Sequence, residues 1–207
     1  MVERIVAAVD GLVTTPWVYL ALFTLAVLDG FFPLVPAETL VIALGAWAAA
    51  TGDPNVVLIV LIAALGAFTG DHISYLIGHR AGDRLFEDED DTRGQTRKAK
   101  GFRWARKTLE ERGGTIIIVC RYIPGARTAV TLTSGAVRYP LRKFTTFDAV
   151  AASSWGIYSA LVGYIGGEAF HDSPLKGLAL GLGIAFTVAL LVEVVRHVRG
   201  RKAKQAA

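Results

Sequence analysis

Long apolar runs alternate with short polar ones along this chain. The apolar runs lie at 12–28, 31–50, 56–81, 115–137, 144–167 and 175–195, and the only long polar stretch is 83–112. Runs of this kind are about as long as a helix needs to be to cross the hydrocarbon layer, roughly 20 residues. The pattern predicts an all-α, polytopic membrane protein built as one domain over residues 1–207.

Charge then decides how the runs are threaded. The stretch 83–112 carries nine Lys/Arg, and the tail "RHVRGRKAKQAA" carries five. Both belong on the cytoplasmic side, because loop basicity sets orientation and acidic blocks such as "EDEDD" count little. Six full crossings would put them on opposite sides. The conflict disappears if 115–137 enters and leaves on one side, since its far flank holds Arg138, Arg142 and Lys143 and its middle holds the helix-breaking pair Pro124–Gly125. The run 31–50 is the mirror case, with Pro33 and Pro36 near its start and no Lys or Arg on its flanks.

The expected architecture is therefore four crossings and two opposed re-entrant hairpins, with both termini cytoplasmic. Residues 12–82 form a first repeat with a hairpin at 31–50, and 83–114 form a basic cytoplasmic linker. Residues 115–168 form a second repeat with a hairpin at 115–137, and 175–195 a C-terminal transmembrane helix. Broken segments in corresponding halves point to an inverted-repeat transporter site, and irregular backbone is tolerated at depth only where protein or a wet cavity covers it. The halves echo each other: "PAETLVIALGA" precedes "GDHISYLIGHRAG" as "PGARTAVTLTSGA" precedes "SSWGIYSALVGYIGG".

Composition agrees, with 53% hydrophobic and 19% charged residues and a mean hydropathy of +0.44. The net charge of +4 would fit nucleic acid, but the basic residues sit beside apolar runs, which matches anionic headgroups instead. Cys120 is alone, so no intramolecular disulfide can form. The start "MVERIVAAVDG" lacks the features of a removable signal peptide.

Charged residues interrupt the apolar pattern at depth or near it at Asp29, Glu38, Asp71, Arg121, Arg127 and Asp148. At a helix centre each costs roughly 2.5–3.5 kcal/mol to insert, so they are expected paired or wet. On one unbroken helix Arg121 and Arg127 would face different ways. The break at Pro124–Gly125 lets both guanidiniums converge beside free backbone N–H groups, which suits phosphate. If the hairpins meet near the midplane, Glu38 faces Arg127. A buried carboxyl beside an arginine can trade its proton for the partner's charge, and so Glu38, with Asp29 or Asp71, is a candidate proton carrier. Simpler roles compete: Arg121 snorkelling to the interface, Asp29 as an interfacial carboxylate, Asp71 as a structural bridge. Asp148 reads as an interfacial or packing residue rather than a member of the site.

The segment "TRKAKGFRWARKTLEERGG" places Phe102, Ala105 and Leu109 at helical spacing among basic residues, as in an amphipathic helix on the inner leaflet. His72, His79, His171 and His197 show no ligand spacing, so neither a metal nor a cofactor is expected. No G-x-S-x-G or Walker pattern occurs, which removes support for serine hydrolysis and ATP-driven transport.

The segments "LDGFFPLVPAETLVIALGA", "GDHISYLIGHRAGDR", "ERGGTIIIVCRYIPGARTAVTLTSGAVRYPLRKF" and "WGIYSALVGYIGG" together resemble the DedA family of bacterial membrane proteins, whose shared region is called the SNARE-associated or VTT domain. The block R-[FY]-x-P-x-x-R-T, here starting at Arg121, is its most specific part. The resemblance implies two opposed re-entrant hairpins and transport of undecaprenyl phosphate or a phospholipid across the bacterial cytoplasmic membrane, driven by the proton gradient. It also implies functional acids at Asp29 and Glu38 and functional arginines at Arg121 and Arg127. The stretch between the two acids is short here, and the second follows Pro-Ala rather than Pro-Gly.

The expected function is thus a proton-coupled flippase for an anionic, phosphate-bearing lipid, and not an enzyme. Protons and membrane lipids are the expected partners, nucleic acid is not, and the oligomeric state stays open. The alternative is a proton-coupled carrier of small ions or osmolytes that uses the same charges.

Overall fold

A computed structural model describes residues 11, 13, 15–32, 35–86, 97–123 and 125–168. Among these there are six main helices and no strand: α1 (Trp17–Phe31), α2 (Ala37–Thr51), α3 (Val56–Phe86), α4 (Arg97–Cys120), α5 (Ala126–Ala136) and α6 (Leu141–Glu168). The expected C-terminal helix at 175–195, the "EDEDD" run, His171, His197, Pro33 and Pro124 lie outside the described residues.

Helix α3 is the axis of the molecule. Its segment Val56–Gly82 is, among the described residues, the one helix long and apolar enough to cross a membrane; α1 and α2 are apolar but shorter. Along α3, Leu58, Leu61, Leu65 and Leu76 point outward and are exposed, as are Val150, Ile157, Leu161 and Ile165 on α6. Apolar side chains displayed over so much surface mark a face that meets hydrocarbon or another apolar body.

Close backbone approaches fix the helix directions. A Cβ on Gly30 would lie 2.5 Å from the Gly70 backbone, and one on Gly66 would meet Phe23 and Ala26, so α1 runs parallel to α3. Ile42 lies against Gly163 and Ala46 against Gly167, so α2 runs parallel to α6. Helix α6 is antiparallel to α3, with His72 beside Thr145 and Asp148 and Gly156 beside Val60 and Ala64. The chain therefore reverses between α1 and α2.

That bend falls at the start of the apolar run 31–50 rather than inside it. From Ala37 onward the run is one helix, α2, and the first arm of the reversal is α1. Four crossings with a hairpin at 31–50 would set residues 12–28 opposite to 56–81, whereas α1 runs parallel to α3. The physical reason is Pro33: a proline at that position cannot donate to the Asp29 carbonyl, so the helix ends before it. The last regular bond there is from Phe32 N–H to the Leu28 carbonyl.

A second reversal follows the long polar stretch. Helix α4 begins at Arg97 and kinks at Arg112, where φ is −137°. Before the kink Leu109 is buried and Trp104 is 70% exposed, as an amphipathic segment requires. After the kink the helix runs with α6, Gly114 lying against Phe147 and Tyr122 Oη donating to Ser154 Oγ. Helix α5 runs back along α3, with Leu132 on Gly78 and Ala136 on Gly82. The turn lies between α4 and α5, and Gly125 takes φ +74°, a left-handed value that favours glycine.

The two bends meet at mid-height, between two apolar layers. One layer contains Leu22, Val41, Leu44, Ile59, Ala67, Ala152 and Trp155. The other contains Tyr75, Leu109, Ile117, Tyr139 and Phe144. One helical turn separates Ala67 from Asp71 and Asp71 from Tyr75 on α3; on α6, Phe144, Asp148 and Ala152 repeat that spacing. The charges occupy the gap.

Candidate functional site

The bend after α4 puts Arg121 into this gap with its side chain 1% exposed. Its Nη1 lies 2.5 Å from Asp71 Oδ2 and 3.4 Å from Asp148 Oδ1. The guanidinium also sits over Trp155, with Cζ 5.4 Å from the ring centroid. Its Nε and Nη2 are buried and have no hydrogen-bond partner among the described residues.

Arg127, on the first turn of α5, reaches the other bend. Its Nη1 donates to Asp29 Oδ2 at 2.9 Å, and its Nη2 donates to the Asp29 backbone carbonyl. Its Nε lies 3.7 Å from Asp71 Oδ1. The Gly30 carbonyl accepts from Ser74 Oγ at 2.9 Å and Thr128 Oγ1 at 3.5 Å. The carbonyls at the end of α1 are thus satisfied across the molecule by α3 and α5.

Breaking the chain between the two arginines does bring them together: both converge on Asp71, which is wholly buried. Of the residues singled out from the sequence, Asp29, Asp71, Arg121 and Arg127 form one cluster. Glu38 does not join it. It stands exposed on the first turn of α2, and no ion pair among the described residues reaches it. The carboxylate ion-paired with Arg127 is Asp29, while Glu38 stands within electrostatic reach of both Asp29 and Arg127 without bonding to either. Pro36 caps α2 and Gly125 caps α5, so both mark the bends as expected.

Two members were missed. Asp148 is 1% exposed and ion-paired to Arg121, not interfacial. His72 sets its Nδ1 3.3 Å from Asp148 Oδ2. A signal existed for Asp148. Its neighbours at helical spacing, Phe144, Ala151, Ala152 and Trp155, are all core residues, so periodicity alone places it on the inner face. Nearby Arg142 and Lys143 made it look peripheral.

Chemically, the cluster holds three carboxylates, two guanidiniums and one imidazole. With every acid ionised and the imidazole neutral, its formal charge is −1. One bound proton balances it. Arg121 is held by two carboxylates through Nη1 and is 1% exposed, whereas Arg127, at 11% exposure, is the more accessible cation. Among the described residues no group of His, Cys, Asp and Glu is arranged to hold a metal.

An all-helical membrane protein with a buried ion cluster between two opposed chain reversals is the class these features define. The VTT domain model matches residues 35–165, and the chain belongs to that family, the DedA family of membrane proteins. It is similar to Protein DedA of Escherichia coli K12, 28% identical over 193 residues covering 88% of this chain and 84% of that one. It is 31% identical over 175 residues to an uncharacterized membrane protein of Mycobacterium tuberculosis H37Rv, covering 83% and 75%. It is 23% identical over 189 residues to Undecaprenyl phosphate transporter A of Staphylococcus aureus NCTC 8325, covering 89% and 92%. No solved structure matches the chain.

Proposed function

We propose that this protein is a proton-coupled carrier that moves an anionic, phosphate-bearing lipid, such as undecaprenyl phosphate or a phospholipid, between leaflets of the bacterial cytoplasmic membrane. One observation carries the reading: two arginines from one bend converge on carboxylates at the level of the opposite bend. A relative named as an undecaprenyl phosphate transporter supports the ligand class.

In this reading the two reversals are re-entrant hairpins of an inverted repeat. The arms α1–α2 enter from the outer face, and the end of α4 with α5 from the cytoplasmic face. Helices α3 and α6 cross fully, and the basic stretch 83–112 is cytoplasmic. The coupling is an exchange of partners. While Asp29 is ionised it occupies Arg127. A proton on Asp29 weakens the Nη1 contact and frees that arm of the guanidinium, which then donates to a phosphate oxygen. Departure of the phosphate returns Arg127 to Asp29 and expels the proton. Glu38, exposed at the entrance to the same level, passes protons to or from Asp29. The residues act by binding and charge exchange alone, so the protein is not an enzyme.

The test is transport by purified protein in liposomes under an imposed pH gradient. A fluorescent polyprenyl phosphate should cross between leaflets faster in the protein-containing vesicles and slow in Arg127→Ala. Uptake of soluble phosphate or a small osmolyte without lipid movement would replace the lipid reading with a small-solute carrier.

A further inference from the structure

His72 follows Asp71 on α3 but turns away from the arginines, toward α6. Its Nδ1 is 2.9 Å from the Phe68 carbonyl oxygen and 3.3 Å from Asp148 Oδ2. Its Nε2 is 2.9 Å from Thr145 Oγ1. The rings of Phe68 and Phe144, with centroids 4.1 and 5.2 Å away, hold the imidazole in place. Asp148 bridges onward, its Oδ1 3.4 Å from Arg121 Nη1. Burial falls along this line: Asp148 is 1% exposed and His72 23%. Thr145 lies about one turn into α6, whose first residues Leu141, Arg142 and Lys143 are exposed.

We propose that His72 and Asp148 form a proton relay joining the buried arginine cluster to the end of the molecule where α6 begins. The relay rests on the transport reading above and adds a route for its proton, through residues that lie off the bends. The heavy-atom geometry serves both charge states without rearrangement. A neutral ring protonated on Nδ1 donates to the Phe68 carbonyl, with the buried, otherwise unpartnered Asp148 Oδ2 3.3 Å away, and its Nε2 accepts from the Thr145 hydroxyl. A cationic ring donates from both nitrogens, and the hydroxyl rotates to accept.

Each transfer balances. An incoming proton forms the Nε2–H bond as its bond to water breaks. The Nδ1–H bond then breaks as an O–H bond forms on Asp148 Oδ2, leaving the neutral Nε2–H tautomer. A protonated Asp148 no longer neutralises Arg121, and Asp71 becomes the sole ionised partner of that guanidinium. The charged groups that face His72 are Asp148 from α6 and Asp71 from its own helix, with Arg121 beyond Asp148 on the bend after α4. Both nearer groups are acidic, so a cationic ring is compensated.

The deciding measurement is the protonation of the His72 ring, followed by ¹⁵N NMR of the full-length protein in lipid nanodiscs and assigned with His72→Gln. The ring should change protonation state between about pH 5 and 8, the range in which histidine switches, with a midpoint that moves when Asp148 becomes Asn. In liposomes, His72→Gln keeps polar contacts without titrating, and it should flatten the pH profile of lipid movement. A ring that holds one state across that range, or a His72→Gln profile identical to the wild type, would overturn the relay. The NMR arm needs no transport. A titrating, Asp148-coupled ring in a protein that moves no lipid would sustain the relay and sink the transport reading. The wild-type titration also decides the matter should a variant not fold.

Discussion

Arg127 donates to Asp29 twice, once to its carboxylate and once to its backbone carbonyl. The carbonyl is available because the residue four positions on is Pro33, which has no N–H to complete the helix. One proline thus ends α1 and exposes an acceptor, and an arginine from a segment nearly a hundred residues away fills it. The same contact joins the two bends.

Arg127→Lys is expected to insert and fold but to lose most activity. An ammonium keeps the charge, yet it cannot reproduce a planar fork that binds carboxylate and carbonyl together. Losing one charge-assisted hydrogen bond of about 2 kcal/mol corresponds to roughly thirty-fold. Lipid movement in liposomes measures it, and wild-type rates in this variant would remove the bidentate role.

Asp71→Ala should be among the most destabilising single changes, by about 3–5 kcal/mol, because it strands Arg121 in a dry site without its closest carboxylate. The double variant Asp71→Ala/Arg121→Ala should recover part of that loss. Thermal melts in detergent of both single variants and the double one provide the cycle. Strict additivity would deny the pair its coupling.

Glu38→Gln is expected to leave stability within about 0.5 kcal/mol, because Glu38 is exposed and forms no ion pair among the described residues. Its effect should appear in the pH dependence of transport, since the amide carries no titratable proton. A pH profile unchanged from the wild type would assign proton handling elsewhere.

Gly30→Ala tests the contact that carries Asp29 to the cluster. The added Cβ would stand 2.5 Å from backbone atoms of Gly70, which cannot yield as a flexible side chain could. Overpacking of this kind costs about 1–3 kcal/mol or more. The melting temperature should drop and Asp29 should part from Arg127. A variant as stable as the wild type would show that α1 and α3 separate freely.

Topology is open to cysteine labelling in a Cys120→Ser background. Thr115→Cys and Leu141→Cys, both exposed positions, should react with a membrane-impermeant reagent from the same, cytoplasmic side. Trp17→Cys and Asp53→Cys should react from the opposite one. Labelling of positions 115 and 141 from different sides would convert the second hairpin into an ordinary crossing helix.

The sequence carried the class of protein unaided, because transfer of apolar side chains and the helix-breaking chemistry of proline are local properties. Apolar length marked α3 and α6 to within a few residues, and the Pro-Gly pair placed the second bend. Two arginines at depth announced the cluster, since so costly a placement demands partners. Which acid meets which arginine was not legible. That choice depends on α1 running beside α3, and on Gly30 and Gly70 letting the two backbones touch. Packing brought Asp29 rather than Glu38 to Arg127, and it turned Asp148 and His72 inward. Pairing between distant segments is a property of how helices stack, and no window of the chain contains it.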